Sequence, residues 1–584
     1  MKLLLYFVIV LVYSSNLCIA NPNENTNSKL LKTSTSTATA KPLTPIPTIK
    51  PQTCPPTPPD PFEYDFVVLG AGTAGSVIAS KLSDNTDYRV LLVEEGGWAM
   101  NPNIDSTENW PQNWLHHPDP VISKNFTNIP QSGINNKTFF NPRAKVVGGC
   151  GSHNAMVMIQ AHQQDFDEWA ELSGNSEWQW VNMKSDLKDF EKRFNYTRMN
   201  AERVLFPEYR KAIEAQGFEY NSDTIHSGNL TGYTGQVFMM EWNNKTSKFR
   251  RISSYTQYTE HDLKVKRKKN LDIMVHERAE LMELERYPVI ALNVTSRMKN
   301  QVKGVYLRNK GTGKLTFIKI RRELILSMGA YETPKFLQLN GIGDEKHLAS
   351  LGIRVVLNSP GVGKGLKDHL YTFYIGREIN PTYKNLTVIG RTSMRDGFNI
   401  FGPLNKKDSR PDYVLNFDIM DKRFVCSNEM TTSSTWGQVK IKSNNWDDDL
   451  FINENILLND HDNELYSRGI DTCLKIQDHL IDQGVLDPDG TPIDLNQPRV
   501  TKKDVLKFTK EQANLDFHPM CSCKMGKDND SPVDGNLMLK GFNNLRVLDA
   551  SVFPTQTTIN PNVPLIIFSS HAYKVIIKSL HYYK

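Results

Sequence analysis

Short apolar runs that stop at glycines, rather than long regular alternation, set the pattern of this chain. The stretch from Asp65 to Leu69 has the length and apolar character of a strand buried on both faces. It breaks at Gly70, and helical spacing starts after Gly75. A second buried strand is predicted over Tyr88 to Val93. From about Asp165 to Gly217 apolar and aromatic residues recur every three or four positions, which predicts helices with one packing face. Strand-like stretches return at Leu271 to Val275, Tyr287 to Leu292, Gly304 to Leu307, Leu315 to Ile320 and Leu324 to Ser327. A helix closed by Gly341 follows the last of them. Strand and helix patterns then mix from about Tyr371 to Asn514, and Val563 to Leu580 is periodic like a final helix.

The first of these breaks carries chemistry. In Gly70-Ala71-Gly72-Thr73-Ala74-Gly75, Gly70 makes the turn tight, Gly72 lets backbone approach a pyrophosphate, and Gly75 lets the helix pack close on the strand. The unpaired N–H groups of the helix start face the phosphates. Glu94 ends the second strand, about 20 residues on, where an acidic side chain binds ribose hydroxyls. Together they predict a dinucleotide site.

Composition sets the frame around that site. With 584 residues, 39% hydrophobic and 23% charged, the chain has material for more than one domain. A net charge of only +5, with dispersed basic residues, points to neither nucleic acid nor an acidic membrane. The one dense basic run, Leu263 to Asn270, reads as a solvated surface segment. Met1-Lys2 and the apolar run over positions 3–13 have signal-peptide form, with cleavage expected after Ala20. Residues 21–61, rich in Thr, Ser, Pro, Lys and Asn, are too poor in large apolar side chains to fold and read as a flexible leader. No later stretch reads as long and apolar enough to span a bilayer, so a secreted, soluble protein is expected. Seven usable Asn-x-Ser/Thr triplets, at Asn125, Asn136, Asn195, Asn229, Asn244, Asn293 and Asn385, agree with that route. Past the signal, six cysteines remain (Cys54, Cys150, Cys426, Cys473, Cys521 and Cys523), and their pairing is open. Cys521, Cys523 and His518 lack a second ligand pair at zinc spacing, so no metal is expected.

Four further blocks extend the first one: AKVVGGCGSHNAM; GAYETPKFLQLNGIG with PGVGKGLKDH; FHPMCSCKMG; and LRVLDASVFPTQTTINPN. Their identity and order, from about Tyr64 to Ile577, resemble the glucose–methanol–choline (GMC) family of FAD-dependent alcohol oxidoreductases. The resemblance implies an α/β, two-domain fold: a Rossmann-like FAD-binding domain built from discontinuous segments, and a substrate-binding domain with an antiparallel sheet and helices. The implied order is signal 1–20, leader 21–61, FAD-binding parts 62–160, 226–370 and 515–584, cap segment 161–225, and substrate-binding domain 371–514.

By the same resemblance FAD occupies the Gly70–Gly75 turn with Glu94 on the ribose. Gly148 and Gly149 approach the flavin closely, Asn154 sits beside it, and Asp549 lies near the pyrophosphate and ring. His518 takes the position of the family's catalytic histidine, and an imidazole, titrating near about 6.5, accepts a hydroxyl proton around neutrality. Asn560 takes the partner position, where an amide holds the developing alkoxide. GGCGSHN resembles the choline oxidase branch, whose histidine at the place of His153 carries the flavin covalently; Cys150-Gly151 departs from that branch and leaves the link open. Cys521-Ser522 replaces the usual Gly-Thr, and Asn340 a usual serine. Asp516 reads as a solvated loop carboxylate, while His369 has structural and active-site readings of equal weight. The expected protein is a secreted FAD oxidase of small alcohols, with aryl or allylic alcohols and cyanohydrins among the substrate classes and oxygen as acceptor. A quinone-using dehydrogenase and a choline oxidase-like enzyme are alternatives, and a non-catalytic flavoprotein-fold binding protein is the rival class. Oligomeric state stays open.

Overall fold

The computed structural model describes residues 62–99, 104, 121–198, 207–224, 228–288, 298–383, 398–403, 410–420, 423–489 and 502–582. The expected signal and leader, with Cys54, Asn293 and Asn385, lie outside them.

Strand β1 (Phe62–Leu69), helix α1 (Thr73–Leu82) and strand β2 (Val90–Val93) form the expected strand–turn–helix–strand unit, with β1 and β2 parallel from Phe66↔Val90 to Leu69↔Val93. The helix starts at Thr73, earlier than the glycine pattern suggests. Gly72 serves as its N-cap residue and Gly75 lies inside it. A Cβ at Gly75 would stand 1.9 Å from the Gly70 carbonyl oxygen, so only glycine lets the helix sit this close to the turn.

The sheet runs Leu271–Met274, β2, β1, Leu315–Leu326, Met298–Asn309, Glu277–Pro288, with Leu545–Val547 added parallel to Leu324–Leu326. The two stretches read separately at Leu315 to Ile320 and Leu324 to Ser327 are one strand of 12 residues. Its first half pairs antiparallel with Gly304–Arg308 and exposes Lys319 and Arg321, so it alternates. Its second half, Leu324–Leu326, is buried on both faces between two parallel neighbours. That change of environment, not a break in the backbone, gave the sequence its two patterns. Glu323 sits at the change and is buried with Arg546.

A second, antiparallel sheet runs Ala513–Leu515, Leu370–Glu378, Arg423–Met430, Tyr413–Met420, Phe398–Gly402, Gly232–Gly235. The Gly232–Gly235 strand falls in the 226–370 segment that the sequence placed with the cofactor domain, yet it pairs here with Phe398–Phe401. Helix Asp460–Asp482 covers this sheet, packing Leu465, Tyr466, Ile470 and Ile476 against Leu415, Phe417 and Phe424. A disulfide joins Cys426 on the sheet to Cys473 on the helix, while Cys150, Cys521 and Cys523 are free thiols.

The last helix, Asn562–Tyr582, corrects one expectation. Its residues 562–580 are long and apolar enough to cross a bilayer, with mean hydropathy 1.2, yet 72% of that stretch is buried in the protein. Val563, Ile566 and Ile567 share one core with Val77 and Ile78 of α1. A core helix enclosed by its own protein carries the same apolar composition as a membrane span. The Leu263 to Asn270 run is largely solvated, with Lys266 and Lys268 ion-paired to Asp84 and Asp262. Asn125, Asn136, Asn195, Asn229 and Asn244 are all exposed.

Candidate active site

Two glycine turns face each other where β1 and the segment after Phe140–Ala144 end. Gly70 has φ +97° and would clash with the Ser327 carbonyl if it bore a Cβ. A Cβ at Gly149 would come within 2.6 Å of the Gly72 Cα, while one at Gly72 would meet nothing nearer than 3.9 Å. The gap above Gly72 is therefore lined by backbone alone, which is what a pyrophosphate needs for close approach. Thr73 Oγ1 donates to Asn562 Oδ1 at 3.1 Å, tying the start of α1 to the start of the last helix across the whole chain. Two helix N-termini thus converge on one place, with Ala74 buried just behind it. These features fit the dianionic diphosphate of FAD.

The polar residues expected around that cofactor are held in place. Glu94 accepts from the backbone N–H groups of Ala71 (3.0 Å) and Gly96 (2.9 Å), so it braces the turn. Burial pushes its carboxyl up to about 7. Asp549 accepts from Gly329 N–H (2.9 Å), Thr333 Oγ1 (2.6 Å) and Ser551 N–H (2.8 Å), which anchors helix Gly329–Leu339 beneath the Gly70 turn. Asn154 accepts from Arg251 through both its carbonyl and side-chain oxygens at 2.7 Å. His153 is 6% exposed, and burial with the nearby Arg143 and Arg251 charges pulls its imidazole down to about 3, so it is neutral. Gly148, at φ +98°, packs over Ser152 and Tyr255.

The second half of the site is assembled from two loops late in the chain. His518 follows strand Ala513–Leu515, and its Nε2 lies 3.2 Å from the Asn560 Nδ2. Asp368 accepts from the His518 N–H at 2.7 Å, and Arg143 Nη1 donates to the Phe517 carbonyl at 2.7 Å. Asp165 fixes the other loop by accepting from Thr558 N–H (2.8 Å) and Oγ1 (2.5 Å), itself paired with Arg410 at 2.9 Å. Burial, then His369 and Arg143, hold the His518 imidazole well below the ordinary histidine range. The unusual Cys521 adopts φ +68°, the left-handed backbone that glycine takes without strain, and is fully buried; Ser522 Oγ donates to the Ala330 carbonyl at 2.6 Å. Cys521 therefore holds a turn that glycine would adopt without strain. Asn340, the other departure, donates to Glu280 and Phe336 carbonyls and accepts from Met282 N–H, a purely structural role.

Asp516 stands elsewhere than the sequence suggested, and His369 takes one of its two readings. Asp516 is no solvated loop carboxylate: its Oδ2 lies 3.2 Å from His518 Nδ1, because the backbone bond from Asp516 N–H to the His369 carbonyl turns the loop inward. His369 belongs to the site, with Nδ1 3.1 Å from His518 Nδ1 and Nε2 2.9 Å from the Thr557 carbonyl. Sequence reasoning missed Glu429, which lies 3.0 Å from His369 Nδ1 and 3.7 Å from His518 Nδ1. Its surroundings, Cys426-Ser427-Asn428-Glu429, are polar in sequence yet buried throughout, so no periodic signal marked it. His369, Glu429 and His518 also bring ligand-type atoms within 4.8 Å of one another, with His369 at hydrogen-bonding distance from each of the other two.

Comparison with known proteins agrees with this architecture. Two family profiles, both described as GMC oxidoreductase, match residues 64–371 and 432–569. The chain is 28% identical to an oxygen-dependent choline dehydrogenase of Acinetobacter baumannii, over 87% of this chain and 95% of that protein. It is 26% identical to the protein of the same description from Staphylococcus saprophyticus, over 88% and 94%. Among solved structures, pyridoxine 4-oxidase from Mesorbium loti superposes with TM-score 0.72 at 22% identity, covering 89% of this chain and 99% of that one. A fungal aryl-alcohol oxidase gives 0.71 at 18% identity, covering 89% and 99%. With both profiles together spanning most of the folded chain, this protein belongs to the GMC oxidoreductase family, FAD-dependent enzymes that act on CH–OH donors.

Proposed function

We propose that this protein is a secreted FAD-dependent oxidase of small alcohols, turning a hydroxyl into a carbonyl and releasing hydrogen peroxide. The observation that carries the reading is the 3.2 Å pairing of His518 Nε2 with the Asn560 amide, at the junction of the cofactor and antiparallel-sheet segments. Bound FAD supplies the acceptor for the carbinol hydrogen as hydride. His518 accepts the hydroxyl proton at Nε2, a task open to it because its burial keeps the ring neutral. The Asn560 amide hydrogen-bonds the oxygen as it becomes an alkoxide and holds the carbinol in line. Both loops are pinned by buried carboxylates, Asp368 and Asp165, so little reorganisation accompanies the step. Oxygen as acceptor is supported by the oxygen-dependent relatives.

Secretion is supported by the Cys426–Cys473 bridge, a feature of oxidising compartments, and by the exposure of the described sequons. Expression in a secretory host should yield a chain starting at Asn21 that moves faster on gels after N-glycosidase treatment. His153 is the residue for a covalent flavin link, since attachment through a ring nitrogen requires the neutral imidazole found here. Acid-precipitated protein is expected to stay yellow, and His153→Ala to release its flavin on denaturation; free flavin from the unaltered protein would refute the link.

The relatives' description favours choline as a second substrate reading. A peroxide-release screen over choline, sugars, aryl and allylic alcohols and cyanohydrins, with a parallel quinone-dye assay, separates the substrates and the acceptors. Colourless protein with no turnover in either assay would leave a binding protein instead of an enzyme.

A further inference from the structure

The antiparallel sheet has two unlike faces. Tyr233, Ile400, Leu415 and Cys426 share a core with helix Asp460–Asp482, so they mark the covered face. Side chains alternate along a strand, which puts Thr234, Asn399, Asn416 and Ser427 on the other one. Glu429, two residues beyond Ser427, stands on that same face and lies 3.0 Å from His369 Nδ1. This inner face is therefore the one turned toward His518 and Asn560.

Two successive rows of side chains cross it. In the first, Phe401 pairs with Val414 and Val414 with Glu429. Phe401 and Val414 pack with Ile159 and with Ile559, the residue before Asn560, so an apolar patch adjoins the reacting pair. In the second row, Thr234 pairs with Asn399, Asn399 with Asn416, and Asn416 with Ser427. Four polar side chains thus stand in register where an inner sheet face ordinarily carries apolar ones. The rows are about 7 Å apart, the rise of two strand residues.

The second row is fixed in place but not satisfied. Asn399 Nδ2 donates to Asn416 Oδ1, which orients both amides. Thr234 Oγ1, Asn399 Oδ1 and Ser427 Oγ, on residues each only 1% exposed, make no hydrogen bond. A buried polar group left unpaired destabilises a fold, and three in one row call for a partner from outside the chain. Asn416, between Asn399 and Ser427, is partly accessible, so a ligand can reach the row.

We propose that Thr234, Asn399, Asn416 and Ser427 form a specificity wall for a second, neutral hydrogen-bonding group of the alcohol, held across an apolar spacer from the carbinol. The carbinol sits at His518 and Asn560, the spacer lies against Phe401 and Val414, and the distal group meets the second row about 7 Å farther on. A hydroxyl suits this row, because it can donate to Asn399 Oδ1 while accepting from the Thr234 or Ser427 hydroxyl. The four side chains carry neither charge nor an aromatic face, and Glu429 is engaged with His369, so the row does not suit a quaternary ammonium. Alcohols of this class include para-hydroxylated benzyl alcohols and terminal diols such as 1,6-hexanediol. The inference rests on the reading of His518 and Asn560 as the reacting pair.

Matched substrates test the wall on the intact holoenzyme. 4-Hydroxybenzyl alcohol is expected to give a kcat/KM about tenfold or more above that of 4-methylbenzyl alcohol, which has the same shape without the distal hydroxyl. 1,6-Hexanediol should exceed 1-heptanol in the same way. Both preferences should shrink toward parity in the double variant Ser427→Ala/Thr234→Val. Because each substitution removes a buried hydroxyl that the fold leaves unpaired, the substrate-free double variant should also unfold at a higher urea concentration than the unaltered protein.

Equal kcat/KM within both substrate pairs, or preferences unchanged in the double variant, would overturn the wall and leave the alcohol oxidase reading standing. A lowered urea midpoint would overturn it too, by showing that the hydroxyls are paired within the fold. Choline reducing the flavin faster than any of the four test alcohols would have the same effect. Flavin that no alcohol bleaches under anaerobic conditions would remove the reacting pair and the wall together.

Discussion

Replacing His518 with alanine is expected to slow anaerobic flavin reduction by about 10²- to 10⁴-fold, the range for a positioned general base. Stopped-flow bleaching of the flavin under substrate measures this step apart from reoxidation. The variant should keep its cofactor, because the His518 loop is tied to the rest of the protein through backbone groups: its N–H to Asp368, the Phe517 carbonyl to Arg143, and Met520 to Lys367. None of these uses the imidazole. Unaltered protein should keep its rate to a lower pH than a free histidine would allow, since burial, His369 and Arg143 all disfavour the imidazolium. The rate then falls only as the pH drops through that lowered value and Nε2 becomes occupied. A flavin-loaded His518→Ala protein that bleached at the original rate would remove the base from this residue.

The largest expected loss of stability lies away from the chemistry. Arg546 is fully buried, and its guanidinium forms two parallel bonds to Glu323, Nε to Oε2 and Nη2 to Oε1, both 2.7 Å, with a third from Nη2 to Ser579 Oγ at 2.7 Å. Arg546→Leu leaves the Glu323 carboxylate buried without its partner, and the cost is expected to be about 3–5 kcal/mol. Urea midpoints of the paired variants measure it. Adding Glu323→Leu should recover most of the loss, because removing both charges removes the uncompensated one. A loss under about 1 kcal/mol for Arg546→Leu alone would mean that water reaches the pair.

What could be read from the chain, and what could not, follows from how local each demand is. The turn at Gly70 and the close approach of Gly75 require particular residues at adjacent positions, so they stood out unaided. His518 and Asn560 were found through the resemblance of their blocks, FHPMCSCKMG and INPN, to the GMC family, since a lone histidine or asparagine carries no signal of its own. Glu429 and the active-site role of Asp516 depend on which strands pair and in what register, and no local pattern encodes that Tyr371 lies opposite Glu429. The same holds for the Gly232–Gly235 strand and for the Cys426–Cys473 bridge, whose partners are set by a helix laid across the sheet. The final helix was legible as a helix, but its apolarity was underrated: its composition is that of a membrane span, and its enclosure by α1 and the core distinguishes it.

The seat beside Leu324–Leu326, filled by Leu545–Val547, bears on how the protein is made. A ribosome delivers residue 326 long before residue 547, a gap of 221 residues (547 − 326), on the order of 10–40 s of synthesis. Throughout that interval the centre of the cofactor sheet has an open edge, the kind of surface that recruits other strands. Asn560 and the helix start at Asn562, which Thr73 clasps, follow that strand within 15 residues (562 − 547). Closing the centre of the sheet and closing the dinucleotide cradle therefore depend on the same late segment of chain.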